Sequence, residues 1–456
     1  MRKLKVLAAA TALMCAALPS GAQVVNLYGQ NIEDLQNLSQ DPGDYWKWTL
    51  RGSWLSEREQ NELSESAVKQ FFRPWHSAGA PVPDLAGTEN VLDGAPYTSS
   101  LTVRTEAQRR ELVDAAQMNL YPTMDRRAVT VCFAACRVLP DMHPAFADPG
   151  MAGEGYPFDY LQNSGVHPGT PLRVLHADKS GGWYLCEYSS AAGWFRAEDI
   201  AFVSARFCRR YESGHYAAVV DDNTPLRSAA GRTLCTACIG AVFPTAGSGQ
   251  DARLLIPLRA SDGTAKIALI PVPEKSVRPY PVPFTAENMT AQARKFMGTL
   301  YGWGGLYGDR DCSMMVKDLT APFGMMMPRN SRAQSFGSGP FIDLRKLSAA
   351  EKVRVIREKG LPFRSLIGFS GHIGLYLGLN AKGQPVMMHN LWGVALSRPE
   401  NPGLSGRLVI GRTVITTLDP GAERTGLVVR GRLAERMTAL TFLPGFGAEE
   451  TVEKQR

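Results

Sequence analysis

Between Pro271 and Phe284 the chain reads PVPEKSVRPYPVPF, five prolines in fourteen positions. Proline fixes φ and removes a backbone donor, so this stretch is excluded from helix interiors and central strands and predicts an extended, semi-rigid connector. It divides a chain of 456 residues, which is too long for one ordinary core. The texture of the sequence changes at the same point.

Upstream, from about 151 to 270, short β-rich runs are broken by Gly, Asp, Ser and Pro, which reads as small barrels. Thr170-Pro171-Leu172-Arg173 recurs as Thr224-Pro225-Leu226-Arg227, and the 54-residue offset suits one small barrel per copy. The first copy runs on into GGWYLCEYSSAAGWFRAEDIAFV, where two Gly-Trp pairs flank turns between strands. Residues 23 to 150 mix helical stretches at Ser56 to Phe72 and Thr105 to Leu120 with a strand within Ala128 to Leu139. Trp46, Trp48, Trp54 and Trp75 of that segment read as packing anchors rather than a ligand cage.

The first residues predict an export signal: basic Arg2, Lys3 and Lys5, apolar Val6 to Leu18, then small Ser20 and Ala22, with a mature chain from Gln23. The apolar run is shorter than the roughly 20 residues that span a bilayer, and bulky Met14 before Cys15 argues against lipidation, so no stable membrane anchor is expected. The protein is expected to be exported, periplasmic or extracellular. Loss of those three basic residues lowers the formal charge from +7 to +4. With no Lys/Arg run or basic aromatic patch, nucleic acid is not an expected partner. Seven cysteines then remain, Cys132, Cys136, Cys186, Cys208, Cys235, Cys238 and Cys312. Their odd number leaves one thiol free or paired between chains, and six available as buried thiols or up to three disulfides. Cys235 and Cys238 form a C-x-x-C pair that matches Cys132 and Cys136 as zinc ligands by residue type, but no spacing rule links the pairs. No metal or cofactor is expected.

After the connector, Thr285 caps a predicted helix whose Met289, Ala293, Phe296 and Leu300 repeat at helical spacing. It leads into YGWGGLYGDRDCSMMVKDL, residues 301 to 319, where a Gly-rich turn delivers Cys312 to the start of a second helix. A thiol there faces the positive end of the helix dipole, which predicts a lowered pKa and a reactive thiolate. The Cys312 N–H is free to bind an oxyanion. Only His372 and His389 of the seven histidines follow. GHIGLYLGL, residues 371 to 379, alternates as a strand that turns His372 away from its apolar face. PVMMHNLWGV, residues 385 to 394, follows a hairpin around Asn380 to Gln384 and carries His389. Adjacent antiparallel strands set the imidazoles side by side, so that His389 orients His372. Taken singly, each residue has a plain reading, a buried thiol or a core histidine, and the three together also match a zinc ligand set by type. A helix-borne Cys followed by two strand-borne His is the order of papain-like hydrolases.

YGWGG, DCS, GHIGLYLG and MMHN together resemble the signature of the NlpC family of cell-wall cysteine peptidases, over residues 285 to 415, and the region 151 to 270 resembles the SH3-like domains attached to such enzymes. The resemblance implies a multidomain α+β chain: signal peptide 1–22, mixed N-terminal α/β domain 23–150, SH3-like barrels 151–210 and 211–270, Pro-rich linker 271–284, papain-like NlpC-type domain 285–420 and C-terminal extension 421–456. It implies hydrolysis of the γ-D-glutamyl to diaminopimelate bond of a murein stem peptide, L-Ala-γ-D-Glu-diaminopimelate, through a thioester. Cys312 is then the nucleophile, His372 base and acid, and His389 the orienting residue. Tyr301, Asp311, Ser313 and Ser331 fall where relatives position the peptide or complete the oxyanion site. Their plain readings are a helix-end anchor, two capping groups and a turn residue. One position departs from the pattern: relatives that require a free N-terminal L-Ala often read Arg-Asp-Ser, and this chain reads Arg329-Asn330-Ser331. Asn brings no charge to pair with an ammonium, which leaves Asp311 or Glu154 as candidate carboxylates. The rival readings are an inactive wall-binding protein and an amidase or acyltransferase of the same fold.

Overall fold

The computed structural model describes residues 23–27, 32–45, 52–77, 90–151, 153–247, 249–398, 401–422, 428–429 and 433–447. The expected leader, residues 1–22, lies outside the described residues, as do Trp46 and Trp48.

The N-terminal segment contains β1 (Gln23–Leu27), α1 (Glu33–Asn37), α2 (Glu57–His76), α3 (Val91–Gly94) and α4 (Glu106–Ala115). Helix α2 begins where Ser56 and Glu59 cap each other reciprocally, which satisfies two of the orphan donors of its first turn. One end of α2 buries Phe72 and Trp75 against Phe207, Tyr211 and Leu255, and the Trp75 indole donates to the Ala128 carbonyl at 2.8 Å. Near the other end, the Gln60 amide donates to the Val282 and Phe323 carbonyls at 2.6 and 3.1 Å. The helix is therefore a strut between the barrels and the C-terminal domain, and Trp54 packs edge-on against Phe284 beside it.

The first barrel is a seven-stranded sheet of β2 (Arg126–Thr130), β3 (Ala134–Arg137), β4 (Gln162–Val166), β5 (Pro171–Ala177), β6 (Trp183–Glu187), β7 (Ala192–Arg196) and β8 (Ile200–Phe202), ordered β4-β3-β7-β6-β5-β2-β8. Its first two strands come from the stretch that sequence reasoning assigned to the N-terminal segment. Arg126 pairs with Val174, and Ala128 with both Leu172 and Phe202, so the barrel core closes only with them. After α5 (Ala205–Tyr211) come β9 (Tyr216–Val219), β10 (Thr224–Arg227), β11 (Thr233–Ala237), β12 (Val242–Ala246), β13 (Arg253–Arg259), β14 (Ala265–Pro271) and β15 (Val277–Pro279). The two sequence echoes are β5 and β10, and each buries its leucine, Leu172 or Leu226, in its own barrel core. The proline-rich stretch is only partly a connector. Its β15 is an edge strand on β9 with Val277 opposite Val219, a position where proline is tolerated.

The C-terminal domain runs α6 (Ala286–Phe296), α7 (Cys312–Thr320), α8 (Ser331–Gly337), β16 (Phe341–Asp343), α9 (Ala349–Lys359), β17 (Ser365–Phe369), β18 (His372–Leu379), β19 (Pro385–Arg398), β20 (Asn401–Thr417), β21 (Val428–Val429), α10 (Leu433–Arg436) and β22 (Met437–Phe442). The strands order β1-β20-β19-β18-β17-β22-β16, with β21 on β19. Strand β22 lies between β17 and β16, so the region read as a C-terminal extension is interior to the sheet. Its Leu440 pairs with both Ile367 and Ile342. Strand β1 pairs in parallel with β20, and the Gln40 side chain brackets the Ile415 backbone at 2.9 and 3.0 Å. The N-terminal segment thereby covers an edge that would otherwise template further pairing.

One carboxylate joins three of these units. Asp318, fully buried on α7, meets His167 of the first barrel at 2.9 Å and Arg310 at 2.7 Å, while Arg310 forks onto Asp222 of the second barrel at 2.8 and 2.7 Å. Gly240 has φ +100°, and a Cβ there would stand 2.6 Å from the Asp318 carboxylate, so only glycine admits this approach. Burial alone would raise the Asp318 pKa, but the charges of His167 and Arg310 outweigh it and hold the carboxyl well below the ordinary range. Asp318→Asn leaves Arg310 short of a buried counter-charge and is expected to cost about 3–5 kcal/mol. The difference from the parent is complete above the unfolded carboxylate value of about 3.9 and shrinks as pH falls below it. Urea unfolding at neutral and acidic pH checks both.

Candidate active site

The Gly-rich turn is built against the first barrel. Gly304 and Gly305 have φ of +60° and +80°, and a Cβ on Gly305 would lie 2.7 Å from the Gly165 nitrogen. The Gln162 amide donates to the Gly304 carbonyl at 3.1 Å, while its oxygen accepts from Arg137, itself paired with Asp159. A barrel side chain thus fixes the turn that precedes Cys312.

Asp311 is the N-cap of α7, accepting from Met314 N at 2.8 Å. Its oxygens also take the Gly304 N–H, the Ser313 hydroxyl and both arms of Arg329. Burial would raise its pKa, but the Arg329 charge prevails and keeps it ionised. Arg329 reaches on to the Ser164 hydroxyl of the first barrel at 2.7 Å. Asp311 and Ser313 therefore have protein partners in place and act here as the cap of the helix. Asn330 caps α8 by accepting from Ala333 N at 2.8 Å, which leaves Ser331 as the first residue of that helix.

Helix α7 packs on β18 and β19. The two predicted histidines meet: His372 Nε2 and His389 Nδ1 are 2.7 Å apart. A residue missed in the sequence extends the chain. Thr416 on β20 lies 3.1 Å from His389 Nε2 and donates its own hydroxyl proton to the Thr417 carbonyl at 2.7 Å. One tautomer assignment satisfies both contacts. With its proton committed, Thr416 accepts, so His389 carries hydrogen on Nε2 and presents a bare Nδ1. His372 then donates from Nε2 and keeps a bare Nδ1 for the thiol proton. No sequence signal marks Thr416, because only the β19–β20 register, with Met387 opposite it, brings it under His389.

Protonation departs from the sequence expectation. Burial pushes the Cys312 thiol up to about 12, with the Asp311 charge adding to the rise. Burial likewise draws His372 down to about 3, with Arg436 adding to the fall, and lowers His389 well below the imidazole range. A helix terminus contributes at most about 2 kcal/mol, which does not offset desolvation of a charge in this pocket. Burial therefore favours thiol and neutral imidazole as the resting pair.

An aromatic wall closes one side. Phe158 of the first barrel faces Trp303 at 5.2 Å, Trp392 at 5.8 Å and Tyr301 at 6.2 Å. Burial, with the charge of Asp311 adding to it, drives the Tyr301 pKa well above its ordinary value, so its phenol remains a donor. Glu154, beside this wall, accepts from the Tyr160 hydroxyl at 2.9 Å. All seven cysteines of the described residues are free, and among the described residues no group of three His, Cys, Asp or Glu side chains is arranged to hold a metal. The zinc alternatives therefore find no ligand set there.

Residues 298–413 match the NlpC/P60 family, 144–196 an SH3 domain of SH3b1 type, 204–250 an SH3 domain of SH3b2 type, and 5–121 the NLPC_P60 stabilising domain. Among solved structures the chain is similar to a novel NlpC/P60 endopeptidase from Photobacterium damselae subsp. piscicida, with 22% identity and a TM-score of 0.81 over 91% of this chain and 98% of that one. It is also similar to an NlpC/P60 family protein from Bacillus cereus ATCC 10987, with 16% identity and a TM-score of 0.44 over 70% of this chain and 100% of that one. No curated protein sequence matches it.

Because the thiol is protonated at neutral pH, alkylation of Cys312 by iodoacetamide in the free protein is expected to rise about tenfold per pH unit from 6 to 9, following the thiolate fraction. Mass spectrometry of the Cys312 peptide measures it. A fast, pH-independent rate from pH 6 upward would reveal a standing thiolate–imidazolium pair and refute the neutral one.

Proposed function

This chain carries an NlpC/P60-family catalytic domain behind two SH3 domains, and on that premise we propose that it is an exported cysteine peptidase of murein stem peptides, cleaving between γ-D-Glu and diaminopimelate. The observation that carries this reading is the one-directional hydrogen-bond chain from Thr416 through His389 to His372. It leaves a base lone pair on the strand that faces the Cys312 helix. The tripartite pattern of residues 1–22 and the location of murein support export.

The steps follow from the resting protonation. As Cys312 Sγ adds to the γ-carbonyl carbon of D-Glu, its proton passes to His372 Nδ1, so the buried charge forms only as the bond does. The oxyanion accepts from the Cys312 N–H, which as the first of α7 has no partner within the helix. Collapse expels the diaminopimelate amine with the proton from His372 and leaves a thioester. Water, deprotonated by His372, then attacks the thioester and releases L-Ala-D-Glu with regeneration of the thiol. His389, locked by Thr416, keeps His372 in the one tautomer that accepts at Nδ1. Tyr301 and Ser331 are proposed peptide contacts, while Asp311 and Ser313 act through the helix they cap.

The substrate end follows from which carboxylate is open. Asp311 is engaged by Arg329 and Asn330 has no charge, whereas Glu154 accepts from the Tyr160 hydroxyl and among the described residues makes no ion pair. Burial raises its pKa, with Tyr160 and Arg407 opposing, and an arriving ammonium favours its ionised form. Glu154 is the proposed counter-charge for a free N-terminal L-Ala, and the barrel wall around Phe158 favours released peptides over intact murein.

Incubation with L-Ala-γ-D-Glu-diaminopimelate is expected to yield the masses of L-Ala-D-Glu and diaminopimelate, and Cys312→Ala to yield neither. An untouched tripeptide with the parent protein refutes the reading in favour of a wall-binding protein or a different reaction. Glu154→Gln is expected to raise KM for the free tripeptide about 10-fold, in line with loss of one charge-assisted contact, and to leave the N-acetylated tripeptide unaffected. Steady-state kinetics on the two peptides decides it.

A further inference from the structure

Beside the aromatic wall stands an arginine that makes no ion pair among the described residues. Arg407, on β20, lies across Gly153 of the first barrel and Gly393 of β19. A Cβ on Gly153 would stand 2.3 Å from its Nε and 2.5 Å from a terminal nitrogen, and one on Gly393 would stand 3.0 Å from its Cγ. Two glycines on different domains therefore make the slot this side chain occupies, and Gly153 has φ +82°, a left-handed conformation that favours glycine. Trp392, next to Gly393, belongs to the aromatic wall with Tyr301 and Phe158, so the guanidinium sits at that wall. Among the described residues no carboxylate lies within 4 Å of it, and its Nε is buried without a hydrogen-bond partner. Glu154, whose charge reaches it, is hydrogen-bonded to Tyr160.

Desolvation lowers the Arg407 pKa, with Glu154 and Tyr301 opposing the fall. A guanidinium stays charged under such a shift, so what the burial reports is a cation held in partly dry surroundings without its full complement of acceptors. A buried donor left unmade is costly, and the planar fork of arginine suits a carboxylate better than any neutral group.

We infer that Arg407 reads a carboxylate of the substrate, the free α-carboxylate of the D-Glu residue. The assignment rests on the cleavage proposed above. In a γ-linked glutamyl peptide the α-carboxylate is the one anion between the N-terminal ammonium and the scissile carbonyl. The wall offers one group of opposite charge for each: Glu154 for the ammonium and Arg407 for the carboxylate. A peptide whose α-carboxylate has been converted to the carboxamide, D-isoglutamine, presents a neutral group there and leaves the guanidinium unpaired. The protein therefore discriminates between amidated and non-amidated stem peptides. A second arginine whose charge reaches the site, Arg436 at the end of α10, donates to the Ser370 carbonyl at 2.6 Å near His372 and serves as the control.

The test compares kcat/KM for L-Ala-γ-D-Glu-diaminopimelate with that for its D-isoglutamine counterpart. The parent protein is expected to prefer the free carboxylate about 10- to 100-fold, the range of a charge-assisted contact. Arg407→Gln is expected to bring the ratio near one, Arg407→Lys to restore part of it, and Arg436→Gln to leave the ratio unchanged. Affinity of Cys312→Ala protein for L-Ala-D-Glu against L-Ala-D-isoglutamine, by calorimetry, provides a readout free of turnover, and circular dichroism confirms that each variant is folded. A parent protein that cleaves both peptides equally overturns the inference and leaves the peptidase reading intact. One that cleaves neither overturns the peptidase reading itself. A ratio lost in Arg436→Gln but kept in Arg407→Gln assigns the carboxylate to the wrong arginine and also overturns the inference.

Discussion

The buried carboxylate of Asp318 is the constraint on which the architecture turns. It lies on the same helix as Cys312, and its two oxygens engage His167 from one barrel and an arginine that is itself anchored on Asp222 of the other. Charges of this kind are expensive to bury singly and acceptable only when paired and hydrogen-bonded. Each barrel must therefore dock in one orientation for the nucleophile helix to be satisfied. The other end of the helix repeats the arrangement, with Asp311 held by an arginine that reaches Ser164 of the first barrel. The SH3 domains are thus part of the scaffold of the active site, and the first of them supplies one wall of its cleft.

That docking sets the chemistry through burial. A helix terminus and a neighbouring imidazole favour a thiolate, but burial of Cys312 and His389 withdraws much of the water that would solvate a charge there. Desolvation is the larger effect, so thiol and imidazole rest neutral. What the pocket preserves is direction: Thr416 gives its proton away and accepts from His389, which accepts from His372. A neutral relay of fixed tautomers delivers a base at one atom, with no standing buried ion pair.

Much of the catalytic domain was legible in the chain because its signals are local. A Gly-rich turn before a helical stripe gives a cysteine at a helix start, and period-two alternation around a short hairpin gives two strands with histidines facing the same way. The β5 and β10 echo was readable for the same reason: each copy packs one leucine into its own core. Boundaries were less legible. Strands β2 and β3 look like part of a preceding segment, β15 like a linker and β22 like a tail, because an isolated strand does not state its partner.

The sequence by itself determined the residue types, the order of Cys312, His372 and His389, and the presence of repeated barrels, since these follow from short-range spacing and backbone preference. Only the tertiary structure decided that Thr416 lies beneath His389, that Asp311 is committed to Arg329, and that Arg407 fills the slot between Gly153 and Gly393. It also decided the protonation of the catalytic pair. The reason is common to all of these: register between distant strands and exclusion of water arise when whole domains close on one another, and no local pattern encodes them.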